Sequence, residues 1–307
     1  MKNTFSISLG LVAMSITNVC SAAVTGPEIG NFLSKNEWTA FNDKKPVARL
    51  SGDLVPLMYY PKSIDVPACG LLHGETGNLS FLEILAPDPG AEYPHCGGID
   101  DGASFNMAGK KYFVYEYSDR DSRDETYGRF FYLYRTRNSY VVDEKLNAAF
   151  DGVLQTNGKA PLKAAEGIKL ARGYQLQLSQ PKLTMLSRDL VADSSGGFAV
   201  FKAKSNATCT FVVDNGVQLT SYTSETLNKD GSCVNYIASS KLETPSRIFY
   251  LGMYNGGNET RQLAIFSVEK NTAVVSVENE LATSALKTGK VVDIKTLKAY
   301  ITDSMRR

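Results

Sequence analysis

A chain of 307 residues, 43% of them hydrophobic, has enough apolar mass for more than one packed core and is not a disordered polymer. With 33 Lys/Arg against 32 Asp/Glu it lacks the basic excess of a nucleic-acid binder. The charge is unevenly placed: 13 Lys/Arg against 19 Asp/Glu over residues 24–155 (net −6), and 19 against 13 over 156–307 (net +6). Such asymmetry bears on association rather than on fold.

The first 23 residues have the form of a secretory signal peptide. Lys2 precedes a modestly apolar stretch from Ile7 to Val19, and Cys20-Ser21-Ala22-Ala23 offers small residues for cleavage near Ala22 or Ala23. No later stretch has the length and apolarity of a membrane span. The expected location is therefore periplasmic or secreted. Thr25-Gly26-Pro27-Glu28 then reads as a capping box with an early proline, opening a helix that carries Ile29, Phe32, Leu33 and Trp38. Short strands are predicted between Leu54 and Leu85, broken by Pro56, Pro61, Pro67 and Gly74. The glycines and prolines of residues 86–109 predict a loop.

Two strands follow, Tyr112 to Tyr117 and Arg129 to Tyr134, joined by a polar tip. Their alternation sets Tyr112, Val114 and Glu116 on one face, and Phe113, Tyr115 and Tyr117 on the other. Ser139 to Val142 forms a third strand, and Asp143 caps a helix through Phe150. Residues 151–180 form a linker with helical composition over Leu162–Ala171. Strand candidates beyond it are Phe198–Lys202, Thr210–Val213, Gln218–Tyr222, Arg247–Met253, Gln262–Val268 and Ala273–Val277. A last helix starts near Asp293 with Ile294, Leu297 and Ile301 as its apolar stripe.

Several features recur in one order. Leu50-Ser51-Gly52-Asp53-Leu54-Val55 agrees with Leu186-Ser187-Arg188-Asp189-Leu190-Val191 at five of six positions, 136 residues apart. Cys69 and Cys209 are 140 apart, Cys96 and Cys233 are 137 apart, and the apolar runs Tyr112–Tyr115 and Ile248–Leu251 are again 136 apart. The pattern predicts two tandem similar domains, 24–155 and 156–307. Each would be a strand-dominated α+β unit, an antiparallel sheet with flanking helices and one internal disulfide. The duplication selects the pairings Cys69–Cys96 and Cys209–Cys233. The rival is a zinc site made of Cys69, His73, His95 and Cys96, but the second half keeps the cysteines and has no histidine.

Motifs for chemistry are scarce. Asp119, Asp121, Asp124 and Glu125 lack the spacing of a calcium loop. Ser284-Ala285-Leu286-Lys287 and Lys287-Thr288-Gly289 mimic β-lactamase motifs but share one lysine. No cofactor is called for. The acidic loops of the first half, with Asp88, Glu92, Tyr93, Asp100, Asp101, Asp119, Asp121, Asp124, Glu125 and Tyr127, suit contact with a basic protein. The general character is similar to that of small bacterial lysozyme inhibitors, and the similarity extends to no residue. The functional expectation is thus a non-enzymatic exported protein that binds another protein, as an immunity protein or an inhibitor of a secreted hydrolase does. Alternatives are a hydrolase with its site where the halves meet, and a structural component of the envelope.

Overall fold

The computed structural model describes residues 23–306 except 42–48, 52, 76, 87–95, 121–125, 138, 152–162, 187–189, 204–207, 228–230 and 258. The signal-peptide reading therefore lies outside the described residues. The first helix, α1 (Gly26–Lys35), is capped as predicted, with the Thr25 N–H donating to Glu28 Oε2 at 2.7 Å. Next come β1 (Thr39–Ala40), β2 (Leu54–Tyr60), β3 (Ala68–Glu75) and β4 (Asn78–Leu85), a first antiparallel sheet in sequential order. A second such meander holds β5 (Cys96–Met107), β6 (Lys110–Arg120), β7 (Thr126–Arg135) and β8 (Tyr140–Val142). Helices α2 (Glu144–Phe150) and α3 (Ala164–Ser179) follow.

The third sheet contains β9 (Thr184–Met185), β10 (Val191–Asp193), β11 (Gly196–Lys202), β12 (Cys209–Asp214) and β13 (Leu219–Thr223). After the single turn of α4 (Ser224–Leu227), a fourth meander runs through β14 (Asn235–Glu243), β15 (Arg247–Asn255), β16 (Arg261–Glu269) and β17 (Val275–Val277). Helices α5 (Asn279–Lys287) and α6 (Ile294–Ser304) close the chain. All the paired strands are antiparallel, as expected.

Alternation along the strands decides the layers. Phe113, Tyr115, Phe131 and Leu133 turn toward Leu54, Cys69 and Leu71, so the first two sheets pack face to face. Tyr112, Val114, Phe130 and Tyr132 turn the other way, onto Leu146 of α2 and Ala164, Ile168 and Ala171 of α3. The outer face of the first sheet is covered by Ile29, Phe32 and Leu33 of α1. Further along α3, Leu176 packs on Ala199, Phe201 and Val212, the outer face of the third sheet. The third and fourth sheets enclose Phe198, Phe211, Tyr250, Tyr254 and Phe266, and α5 and α6 cover Phe249, Leu251 and Ile265 behind them. One helix, α3, thus serves both sandwiches.

Its identity as a shared layer is written in its side chains. Gly167 brings the helix against the second sheet: a Cβ there would lie 2.9 Å from Phe130 and Val114. Five residues on, Arg172 has no exposure. Its Nε donates to Asp193 O (2.6 Å), its Nη2 to Asn106 O (2.7 Å) and Ser194 O (3.2 Å), and its Nη1 pairs with Asp214.

Each disulfide staples the two sheets of one sandwich. Cys69 of β3 bonds Cys96 of β5, and Cys209 of β12 bonds Cys233 just before β14. By loop-closure entropy each stabilises the fold by about 3 kcal/mol. The zinc alternative falls with them, since both Cys69 and Cys96 sulfurs are in the bond. Among the described residues no group of three or more acidic, His or Cys side chains is placed to hold a metal, and His95 lies outside them.

Three expectations need correction. The glycine-rich stretch predicted as loop forms β5, twelve residues long, with register shifts at Cys96/Gly98 and Ile99/Asp101. Glycine is wanted there because Gly102 lies under the Tyr115 ring, where a Cβ would be 3.0 Å from Cδ1. Next, Val55 and Val191 of the six-residue match lie on strands with different neighbours. Val55 is in β2, beside the cysteine strand β3, whereas Val191 is in β10, one strand removed from the cysteine strand β12. Finally, an offset of 136 sets helix-facing Tyr112 against sandwich-facing Ile248. A slip of one residue exchanges the faces of a strand, so like-for-like alignment of β6 with β15 needs an odd offset.

Candidate ligand cleft

The edge of the second sheet is where the layers fail to close. Strand β7 has ten residues, but its outer neighbour β8 pairs only with Leu133, Tyr134 and Arg135. The strand stops because Asp143 begins a helix: its side chain accepts the Leu146 N–H, 3.1 Å away, as N-cap of α2. Below β8, Asn147 substitutes for a strand. Its Oδ1 accepts the Tyr132 N–H (2.8 Å) and its Nδ2 donates to the Tyr132 carbonyl (3.1 Å). By the two-residue alternation of a strand, the backbone polar groups of Phe130 face the same side.

A cleft of about 400 Å³ occupies this notch. Glu83 and Ile84 of β4 form one wall, and Glu144, Asn147, Ala148, Phe150 and Asp151 at α2 form the other. Its floor is the second sheet: Tyr117, Arg129, Phe130, Phe131 and Val142. Arg129 is held from both sides, with Nε 3.0 Å from Asp119 Oδ2 and Nη1 paired with Asp151. Burial pushes the Tyr117 hydroxyl up to about 12, with Arg129 opposing and Asp119 and Asp151 adding. It therefore stays protonated and uncharged at neutral pH. Glu144 is exposed on the α2 side, whereas Glu83, between inward-facing Leu82 and Ile84, is exposed on the α1 side of the first sheet, where it acts on Tyr59.

Two further polar clusters lie in the cores. Asp53 accepts from Tyr140 Oη (2.8 Å) and Ser51 Oγ, and Arg135 Nη2 is 3.0 Å from its other oxygen. Burial works to raise this carboxyl, but Ser51, Tyr140 and Arg135 together hold it below the ordinary Asp value. His73 is buried beside it, edge-on to Tyr140 with centroids 5.4 Å apart; burial lowers its pKa, against the pull of Asp53. In the second sandwich, Lys241 Nζ donates to Asp193 Oδ2 (2.6 Å) and Ser195 Oγ (2.5 Å). Lys241 also pairs with Glu243, so it ties β14 to the β10–β11 turn.

Of the residues predicted to meet a partner, Asp100, Asp101, Asp119 and Tyr127 lie among the described ones. Asp101 accepts the Ala164 N–H at the start of α3 (2.9 Å), Asp100 accepts from Ser118 Oγ (2.5 Å), and Asp119 holds Arg129. Tyr127 pairs with Asp119 across the β6–β7 ladder. Asp88, Glu92, Tyr93, Asp121, Asp124 and Glu125 lie outside the described residues. The β-lactamase-like residues Ser284 and Lys287 are exposed on α5, and Gly289 merely ends that helix at φ +65°. Glu83, Glu144, Asn147 and Phe150 were not singled out in the sequence. Their signal was a three-residue strand followed at once by an N-cap, beside a much longer strand.

No protein-family model and no curated protein sequence matches the chain. Solved structures that match include a thermostable family-43 glycoside hydrolase, at 12% identity and TM-score 0.23, covering 81% of this chain and 78% of that one. A levansucrase of B. megaterium matches at 10% identity and TM-score 0.21, over 70% and 62%. A β-1,3-galactosidase solved with galactodeoxynojirimycin matches at 10% identity and TM-score 0.19, over 76% and 74%. TM-scores this low carry no argument for a shared fold or activity. The expectation of a non-enzymatic protein binder, whether immunity protein or inhibitor, is withdrawn: three of the acids expected to bind a partner, Asp100, Asp101 and Asp119, are engaged by Ser118, the start of α3 and Arg129. No helix among the described residues is long and apolar enough to cross a membrane, and two disulfides fit an extracellular location.

Proposed function

We propose that the notch beside β7 is a saccharide-binding cleft in an exported, glycan-directed protein. The observation that carries this reading is the lining itself. Aromatic residues (Tyr117, Phe130, Phe131 and Phe150) share one open cleft with Glu144, Asp151 and the Asn147 amide. A sugar ring presents apolar C–H faces and a rim of hydroxyls, and this mixture of aromatic surface with a few polar groups serves both.

Export rests on the amino-terminal pattern of Lys2, the Ile7–Val19 stretch and Ala22-Ala23, together with cysteines that are bonded in pairs. The two halves descend from one duplicated module. This is supported by the position of β1 and β9 on the strand next to each cysteine strand, by one sheet-to-sheet disulfide in each sandwich, and by a helix following β8 and β17 alike.

The test is a glycan array followed by calorimetry on the best ligand. Phe150→Ala is expected to weaken binding about tenfold or more by removing aromatic contact area. Affinity unchanged in Phe150→Ala, or no glycan retained at all, overturns the saccharide reading.

A further inference from the structure

We infer that the buried cluster of Asp53, His73 and Tyr140 is an acid-sensitive latch, which holds β8 and the notch beside it in shape and releases them when His73 takes up a proton. The latch is independent of what the notch binds, and its effect on affinity rests on the saccharide reading.

Both sheets of the first sandwich contribute to the cluster. His73 pairs with Leu54 across the β2–β3 ladder, and the alternation that turns Leu71 into the sandwich turns His73 there too. It is 7% exposed, and the Tyr140 ring of β8 stands edge-on to it. The Tyr140 hydroxyl ties β8 to the first sheet by donating to Asp53 Oδ1 (2.8 Å). Arg135 of β7, the ladder partner of Tyr140, reaches the other Asp53 oxygen (3.0 Å) and lies over the Tyr140 ring. Ser51 Oγ also donates to Asp53, and the buried Tyr115 hydroxyl of β6 faces the same group.

A protonated His73 fits this arrangement badly. It would be a second cation beside Arg135, and it would compete for Asp53 oxygens that Ser51, Tyr140 and Arg135 already occupy. Burial holds the His73 pKa below its ordinary value, against the pull of Asp53, so acid favours a state in which the ring reaches water. Lifting Tyr140 away gives such a state. Strand β8 has three residues and sits at the sheet edge, paired with β7, and short edges of this kind open at small cost. Val142 of β8 lies in the floor of the notch, and Asp143, next in the chain, caps α2 and accepts the Tyr112 hydroxyl (2.9 Å). Opening β8 therefore disturbs the floor of the notch and the start of its α2 wall. Proton uptake and ligand binding then oppose each other.

Amide hydrogen exchange on the full mature chain, with wild type and His73→Gln compared at each pH, tests the latch without a ligand. Above about pH 7 the two should agree at Tyr140–Val142. Between about pH 6.5 and 5 the protection of these amides should fall in the wild type and persist in His73→Gln. Tyr140→Phe, which keeps the ring and removes the bond to Asp53, should lose protection already at neutral pH. Calorimetry with the best-bound glycan reads the consequence. Affinity should fall by up to about tenfold per pH unit in the wild type over the same window and stay level in His73→Gln. Equal protection in wild type and His73→Gln at every pH overturns the latch. An acid-dependent loss of protection with unchanged glycan affinity overturns its link to the notch. No glycan bound at any pH, with the change in protection present, overturns the saccharide reading alone.

Discussion

At Arg172 a guanidinium without exposure to water meets oxygens from the second and third sheets. Three are backbone carbonyls, on Asn106, Asp193 and Ser194, and the fourth belongs to the Asp214 carboxylate. Burial raises the Asp214 carboxyl, while Arg172 and the Gly216 N–H act to keep it ionised. A pair of this kind is worth little against a well-packed apolar substitute, but losing one member strands the other. Arg172→Met is therefore expected to cost about 3–5 kcal/mol in urea denaturation, and Arg172→Met/Asp214→Asn to recover part of it. A double variant no more stable than the single one would contradict the assigned pairing. The Asp53–His73 cluster gives a pH dependence. His73 is depressed below its ordinary value, so the unfolded chain takes up its proton first, and stability falls as pH drops below about 6.5 toward the folded pKa. Asp53 is depressed as well, so its contribution is full above about pH 4 and is lost as pH falls through its folded value. His73→Gln should flatten the upper limb and leave the lower one, as read from urea midpoints across pH.

Among the elements, α3 offers the clearest separation of propensity from packing. Gly→Ala in a helix interior ordinarily stabilises by about 1 kcal/mol. At Gly167 the added Cβ would lie 2.9 Å from Phe130 and Val114, under a backbone carbonyl that accepts the Tyr132 hydroxyl at 3.0 Å. Gly167→Ala is thus expected to destabilise by about 1–3 kcal/mol, with a lowered thermal midpoint as the readout. A raised midpoint would mean that helix and sheet are less closely packed. Much of the element plan was legible in the sequence. Local chemistry marked the starts of α1, α2 and α6 at Thr25, Asp143 and Asp293, and alternation assigned the faces of β6 correctly. Where the sequence misled, the cause was tertiary. Glycines that suggest a loop in isolation are required in β5 by the Tyr115 ring above Gly102. Strand β14 was missed because its sequence, NYIASSKLE, has few apolar residues and no clean alternation, and it is held by its ladder with β15. The cleft was not legible as chemistry, since its walls come from β4 and α2, some sixty residues apart.

For the whole molecule, the two sandwiches meet through one helix, α3, whose Arg172 pairs with Asp214 of the third sheet and donates to the Asn106 carbonyl of the second. The disulfides act within each sandwich and leave this seam to side-chain packing. Function is then assigned to the opposite side of the second sheet's edge, where a three-residue strand leaves a notch between three layers. The most direct measurement is amide chemical-shift mapping during titration with the best-bound oligosaccharide. Binding in the notch predicts that Phe130, Asn147 and Phe150 shift together and saturate with one affinity, while the third and fourth sheets stay unmoved. Shifts confined to those sheets, or spread along the α3 seam, would contradict it.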